Sequence, residues 1–336
     1  MKYSLINIKK SEYQKWDKLV DNSNEGTIFH KGSFLNAMNI DFNIYYVMKG
    51  NNPTAGVTIS LDSSDKTKGT LQDYLIYNGL IFFNMDNTSS NIAKIHSEQF
   101  KITDFVVSEL TKRYNIIELQ MSPGIKDIRP FLWFNYHSEN INDKFKVDVR
   151  YTSLLNIDKI NDDADLEENQ CFKQLGYSRR QEVRYGIKNK VKVYENSEND
   201  IFFSLYRDVM KDKFDPVYLE KLLKTIKYVI EGMQQEKVLR VYYAKNSNGD
   251  IVSSVVFCWD SKRAYYLFGV NKISKDERYI GSFILWQAFK DLRKLDIQEI
   301  DLEGVNSPDR GWFKLSFGGD LSPYYRLNLV GESSSE

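Results

Sequence analysis

A chain of 336 residues exceeds what one hydrophobic core of ordinary size encloses and predicts two domains. Its 46 basic residues balance its 46 acidic ones, which excludes a strongly cationic nucleic-acid binder but leaves a local phosphate or RNA patch open. Cys171 and Cys258 are the only cysteines and lie far apart, which argues against a disulfide framework or a zinc cluster and for a reducing compartment.

In chain order, residues 3–8 read as a strand. Ser11 followed by Gln14 reads as a capping box opening a helix to about residue 20. Residues 33–38 suggest a short helix. Strands at 44–48 and 55–61 flank the Gly50-Asn51-Asn52-Pro53 turn, and a third strand is expected over 73–83. Apolar residues at helical spacing predict a helix over 97–114, followed by strands at 116–121 and 146–157. The second half repeats this order: helices at 199–211 and 217–233, then strands at 238–245 and 251–259 around Asn246-Ser247-Asn248-Gly249-Asp250. A strand at 263–270, a helix at 281–295 and strands at 299–302 and 324–330 complete it.

The two halves also end alike. Asp127-Ile128-Arg129-Pro130-Phe131-Leu132-Trp133-Phe134 and Asp309-Arg310-Gly311-Trp312-Phe313-Lys314-Leu315-Ser316-Phe317 each follow a helix, a strand and a proline-bearing stretch. This order of elements indicates a tandem duplication with units of about 150 residues, hence two like domains rather than a solenoid. The fold class is α+β or α/β, with mixed sheets flanked by helices, divided at 1–157 and 158–336. The amino terminus lacks a cleavable leader pattern and no apolar run reaches membrane-spanning length, so a cytoplasmic location without a membrane span is expected. The polar tail, 331–336, is expected to fray.

Three groups of residues carry possible chemistry. Lys314 stands among Trp312, Phe313 and Phe317, so it either extends to solvent along Trp312 or is buried beside an anionic or carbonyl partner. Asp301 and Glu303 precede it at strand spacing, either as exposed strand-end residues or with one as a base of raised pKa. Arg278, Gly281 and Ser282 open a helix, where backbone N–H groups hold a phosphate or Ser282 simply caps the helix. Arg180, Arg184 and Lys188 lie at i, i+4 and i+8, forming either a solvated face or a stripe for pyrophosphate or RNA. The three histidines all lie in the first half, away from these groups. No Gly-x-Ser-x-Gly elbow, Walker loop or dinucleotide fingerprint is present. A histidine triad and a metal centre are therefore not expected. Transfer of an activated acyl group to an amine remains, because it asks for positioning and an oxyanion partner.

The runs from Ser178 to Val193, Asp301-Leu302-Glu303-Gly304 and Trp312-Phe313-Lys314 through Gly319 resemble the FemAB-like acyltransferases, as does the run from Asp127 to Phe134. The resemblance implies two tandem GNAT-like domains with mostly antiparallel mixed sheets and the donor site in the second. It implies transfer from acyl-CoA to an amino sugar or cell-surface glycan precursor. Alternatives are aminoacyl-tRNA-dependent addition to a peptidoglycan precursor, with tRNA on the Arg180 face, and an inactive binding module. It further implies Lys314 as the catalytic cation, with Asp301 or Glu303 as base, and Arg278, Gly281, Ser282, Arg180 and Arg184 as donor-binding residues. No permanently bound cofactor, metal or DNA is implied. Two features depart from the family: bulky Phe283 stands where the phosphate loop usually ends in glycine or alanine, and no helical arm follows Lys190.

Overall fold

The computed structural model describes residues 2–83, 91–161, 165–196, 199–272 and 274–330; the tail expected to fray lies outside these. The chain divides into two compact units, residues 1–150 with 323–336, and residues 151–322.

In the first unit the order is β1 (Tyr3–Asn7), α1 (Tyr13–Asn22), α2 (Gly32–Ala37), β2 (Phe42–Lys49), β3 (Asn52–Ser60), β4 (Lys68–Gly69), β5 (Gly79–Phe82), α3 (Ile92–Arg113), β6 (Ile116–Gln120) and α4 (Arg129–Trp133). β1-β2-β3-β5 form an antiparallel set, turned between β2 and β3 by Gly50 at φ +62°, a conformation glycine adopts without penalty. The helix predicted from residue 97 begins at Ile92, because Asn91 caps it by accepting from the Lys94 N–H at 3.0 Å. Its residues Ile102, Val106 and Leu110 are buried at i, i+4 and i+8. The expected capping box at Ser11 is replaced by one a residue pair earlier: the Lys9 N–H donates to Glu12 Oε2 at 3.1 Å and a short 3₁₀ turn precedes α1. Of the strand expected over 73–83, only Gly79–Phe82 forms.

The second unit contains β7 (Lys146–Asn156, which runs through the division), α5 (Gln170–Gln174), α6 (Tyr177–Lys188), β8 (Lys192–Asn196), α7 (Asp200–Met210), α8 (Pro216–Gln235), β9 (Leu239–Lys245), β10 (Ile251–Trp259), β11 (Arg263–Asn271), α9 (Tyr279–Arg293), β12 (Glu299–Asp301) and α10 (Pro308–Leu315). β13 (Asp320–Val330) closes the chain. The strand order is β7-β12-β11-β10-β9-β8, antiparallel except for β11 beside β12. α9 is apolar nearly all round and lies in the centre of the core, between Phe257, Phe172 and Phe317. The stretch read as a proline-bearing loop is the start of a helix. Pro308 is its first residue, where a missing N–H leaves nothing unsatisfied.

The division differs from the expected 157/158 boundary at the carboxy terminus as well. β13 pairs antiparallel with β6 over Arg326–Val330, and Leu327 and Leu329 are buried in the first unit's core. The last strand therefore counts with the first unit from Pro323 onward.

One close approach explains a residue that helix propensity disfavours. Gly186 lies inside α6, where glycine costs about 1 kcal/mol relative to alanine. A Cβ there would stand 2.3 Å from the Phe283 ring of α9, so the bulky residue that departs from the family pattern occupies the space Gly186 leaves. Gly186→Ala is expected to destabilise the protein by about 1–3 kcal/mol through overpacking. Adding Phe283→Leu should restore part of the loss in a denaturant double-mutant cycle. Strict additivity would show that the two residues do not share this space.

Candidate functional site

The parallel strands β11 and β12 pair only over Arg263↔Glu299, Ala264↔Ile300 and Tyr265↔Asp301. β11 continues to Asn271, whereas β12 stops. The segment after β12 remains bonded to β7 instead: the Leu302 N–H donates to the Ser153 carbonyl at 2.9 Å. Asn306 exchanges bonds with the Tyr151 backbone at 2.7 and 2.9 Å. The two parallel strands thus part beyond Tyr265 and Asp301, and this notch in their pairing lies at their carboxyl ends, the position at which α/β sheets commonly take ligands.

Glu303 lies in this notch. Its φ of +53° is left-handed, which costs a non-glycine residue roughly 1–2 kcal/mol. Asp301, fully buried, holds that conformation: its Oδ1 accepts the Glu303 N–H at 2.8 Å and the Thr152 hydroxyl. Glu303 is 5% exposed, and its Oε1 is buried without a hydrogen-bond partner among the described residues. Burial, reinforced by the Asp301 charge, pushes the Glu303 carboxyl well above the usual carboxylate range, with Lys314 opposing.

Lys314, on α10, is half-buried. Its Nζ donates to the Glu303 carbonyl at 3.2 Å and lies 5.3 Å from the Tyr266 ring centre. Burial lowers its pKa, while the charges of Glu303 and Asp301 oppose the shift and Arg310 adds to it. The alternative in which its stem runs along Trp312 to solvent does not occur; Trp312 is itself 77% exposed. Tyr266, on β11, stacks on Phe257 at 5.3 Å, and burial raises its pKa. Arg310 is exposed, one turn before Lys314 on α10. Below the notch, Tyr265 donates to Asp260 at 2.6 Å and Arg263 pairs with Glu299 at 3.1 Å, so these charges are internally matched.

The structure therefore joins Asp301, Glu303 and Lys314. The other residues singled out in the sequence are placed apart from them. Ser282 is buried, accepts from Arg179 at 2.7 Å and donates to Glu182. Arg179 also stacks over Phe313, with 4.9 Å to the ring centre. Gly281 is buried and Arg278 is exposed at the α9 N-cap. Arg184 is committed to Glu167 by two bonds of 2.7 and 2.8 Å and covers the Phe172 ring. Arg180 is half-buried, its Nε without a partner among the described residues. Sequence reasoning missed Thr152, Tyr266 and Arg179. The Tyr265-Tyr266 pair carried a partial signal, since strand alternation sends one ring to each face, but not which face is the notch.

Among the described residues no group of three or more His, Cys, Asp and Glu is placed to hold a metal ion. No helix among them is long and apolar enough to cross a membrane.

No family model and no curated protein sequence matches this chain. Its three-dimensional structure is similar to the crystal structure of FemX, with a TM-score of 0.60 and 11% identity over 96% of each chain. It is also similar to a tandem GNAT protein from the clavulanic acid biosynthesis pathway, at 0.53 and 7% over 99% of this chain and 100% of that one. A conserved protein of unknown function from Bacteroides thetaiotaomicron matches at 0.54 and 11%, covering 98% and 100%. The fold is that of the FemAB-like proteins, two tandem GNAT-like domains, as the sequence resemblance implied.

The raised Glu303 pKa has a stability consequence. Between its ordinary and its raised value the unfolded chain is ionised at this residue and the native chain is protonated, so the native state binds more protons and stability falls as pH rises. Glu303→Gln is expected to remove that part of the fall, so that the melting temperatures of variant and parent diverge with rising pH. Parallel melting curves across the pH range would show that Glu303 titrates normally.

Proposed function

We propose that the chain is an acyltransferase that forms an amide at the notch of its second unit. The observation that carries this reading is the buried, unpaired Glu303 carboxyl beside the Lys314 ammonium. An amine must be neutral to attack, and Glu303, once ionised, takes its proton. The nitrogen then bonds to the donor carbonyl carbon. Lys314 offsets the negative charge that develops on the carbonyl oxygen. The bond from carbon to the leaving sulfur or oxygen breaks, and in this reading the Tyr266 hydroxyl protonates the leaving group. Asp301 acts through Glu303 by fixing its backbone rather than by touching substrate.

The donor in the first reading is acyl-CoA, and the acceptor is an amine on an amino sugar or cell-surface glycan precursor. This follows the FemAB resemblance and the similarity to the tandem GNAT protein. Arg278, Gly281 and Ser282 at the start of α9, with Arg180 and Arg184 of α6, are the donor-binding residues in this reading. One observation favours the second reading, an aminoacyl-tRNA donor serving a peptidoglycan precursor. The Ser282 hydroxyl is already held by Arg179 and Glu182, and Phe283 fills the space over Gly186, so the usual diphosphate cradle is partly occupied. A cytoplasmic location fits either donor.

Lys314→Ala is expected to lower kcat/KM more than about tenfold with the fold retained, since an oxyanion partner contributes several kcal/mol to the transition state alone. Unchanged turnover would remove Lys314 from the site. A saturating donor, at about 100 times its dissociation constant, stabilises by about 2.7 kcal/mol. Thermal shift with acetyl-CoA and with charged tRNA therefore separates the two readings, and no shift with either points to an inactive binding module.

A further inference from the structure

A pocket of about 400 Å³ lies at the other edge of the second unit's sheet, bounded by the end of α6, the start of β8 and the turn between β9 and β10. Lys190, Lys192 and Lys245 line it, together with Asn246, Tyr194 and Tyr279. No carboxylate is among its described lining residues, and none of the three lysines forms an ion pair among the described residues. The chain as a whole carries equal numbers of acidic and basic side chains, so three unmatched cations in one pocket are a local concentration.

Stability accounts for only part of their placement. Lys192 and Lys245 face each other directly in the β8–β9 register, and like charges directly opposite destabilise a strand pair. Lysine on an edge strand is a common guard against aggregation, which would account for Lys192 on β8. It does not account for Lys245, because β9 is paired on both sides; Lys245 Nζ lies 5.6 Å from the Tyr194 ring centre, a cation–π contact that uses none of its N–H donors. Lys190 follows the α6 C-cap at φ +52°, where glycine is the usual residue and a side chain costs roughly 1–2 kcal/mol. A cation is favourable near a helix carboxyl end, but Lys188 in the last turn already supplies one. The turn beyond Lys245 is rigid: Asn246 Oδ1 accepts from the Asn248 and Asp250 N–H groups, at 3.0 and 2.9 Å. Its carboxamide nitrogen is left available to an acceptor oxygen.

We propose that this pocket binds the phosphate groups of a small phosphorylated ligand of nucleoside diphosphate size. A terminal phosphate of charge about −2 takes two of the lysines and leaves the third for a second phosphate. The Asn246 carboxamide and the Tyr194 and Tyr279 hydroxyls supply neutral donors, and the volume suits a ligand of this size. The inference stands apart from the acyl-transfer reading, since its test measures binding alone.

The test is calorimetric titration with ADP, inorganic pyrophosphate and adenosine. ADP and pyrophosphate are expected to bind, more weakly as salt rises, and adenosine is not. Lys192→Gln/Lys245→Gln should weaken ADP at least about tenfold, the effect of losing charge-assisted hydrogen bonds. Its melting temperature should be unchanged or higher, because a like-charge pair is relieved. Lys190→Gly offers a second check: it suits the backbone and should stabilise the protein while weakening ADP. Equal binding of ADP and adenosine, or undiminished ADP binding in both variants, would overturn the proposal. Tighter binding of a single-stranded oligonucleotide than of ADP through the same lysines would overturn the small-ligand assignment.

Discussion

The second unit's site depends on one choice of hydrogen-bond partner. After Asp301 the chain follows β7 and abandons β11. Had residues 302–306 continued alongside β11, Glu303 would occupy a strand position, its backbone paired and its side chain directed by the pleat. Because they do not, pairing with β11 ends at Tyr265, and Glu303 leaves the strand through a left-handed conformation. Asp301 makes that turn tolerable by accepting the displaced N–H. Strain, burial and an unpaired carboxyl oxygen thus coincide in one residue, a combination that structural roles alone rarely require.

The charge balance around Glu303 follows from the same geometry. Asp301 is a fixed neighbour of like sign; Lys314 is of opposite sign and comes from a different element, α10, which also brings Arg310 near Lys314. Pro308 sets where that helix starts and so where Lys314 falls relative to the Glu303 carbonyl. A lysine bonded to a backbone carbonyl rather than to a carboxylate keeps donor capacity for an incoming oxygen. Between α6 and α9, by contrast, Arg179, Glu182 and Ser282 bond one another and fasten the two helices together.

Much of the fold was legible in the sequence because it rests on local and periodic signals. The duplicated order of elements, the helix over α9 and the hairpin at Gly249 were all read from spacing and turn residues, and Lys314, Asp301 and Glu303 stood out as charges in an apolar context. Other features were not legible. Ser282 reads as a helix cap in one dimension, and only the arrival of Arg179 from α6, 103 residues earlier, reveals it as part of a buried network. Arg184 belonged to a basic stripe until Glu167 was placed beside it. Thr152 gives no sequence signal at all, since its role is to meet Asp301 across a strand pairing that spans 149 residues.

The sequence by itself determined the two-unit α/β architecture, the family of folds it resembles and the stretch of charges in an apolar context around Lys314, because periodicity and residue type act over a few neighbours. Tertiary structure alone decided which carboxylate is strained and unpaired, which cations are already neutralised, and that the last strand returns to the first unit. Those outcomes depend on burial and on partners far apart along the chain, and burial is what pushes an ordinary glutamate carboxyl well above the usual carboxylate range.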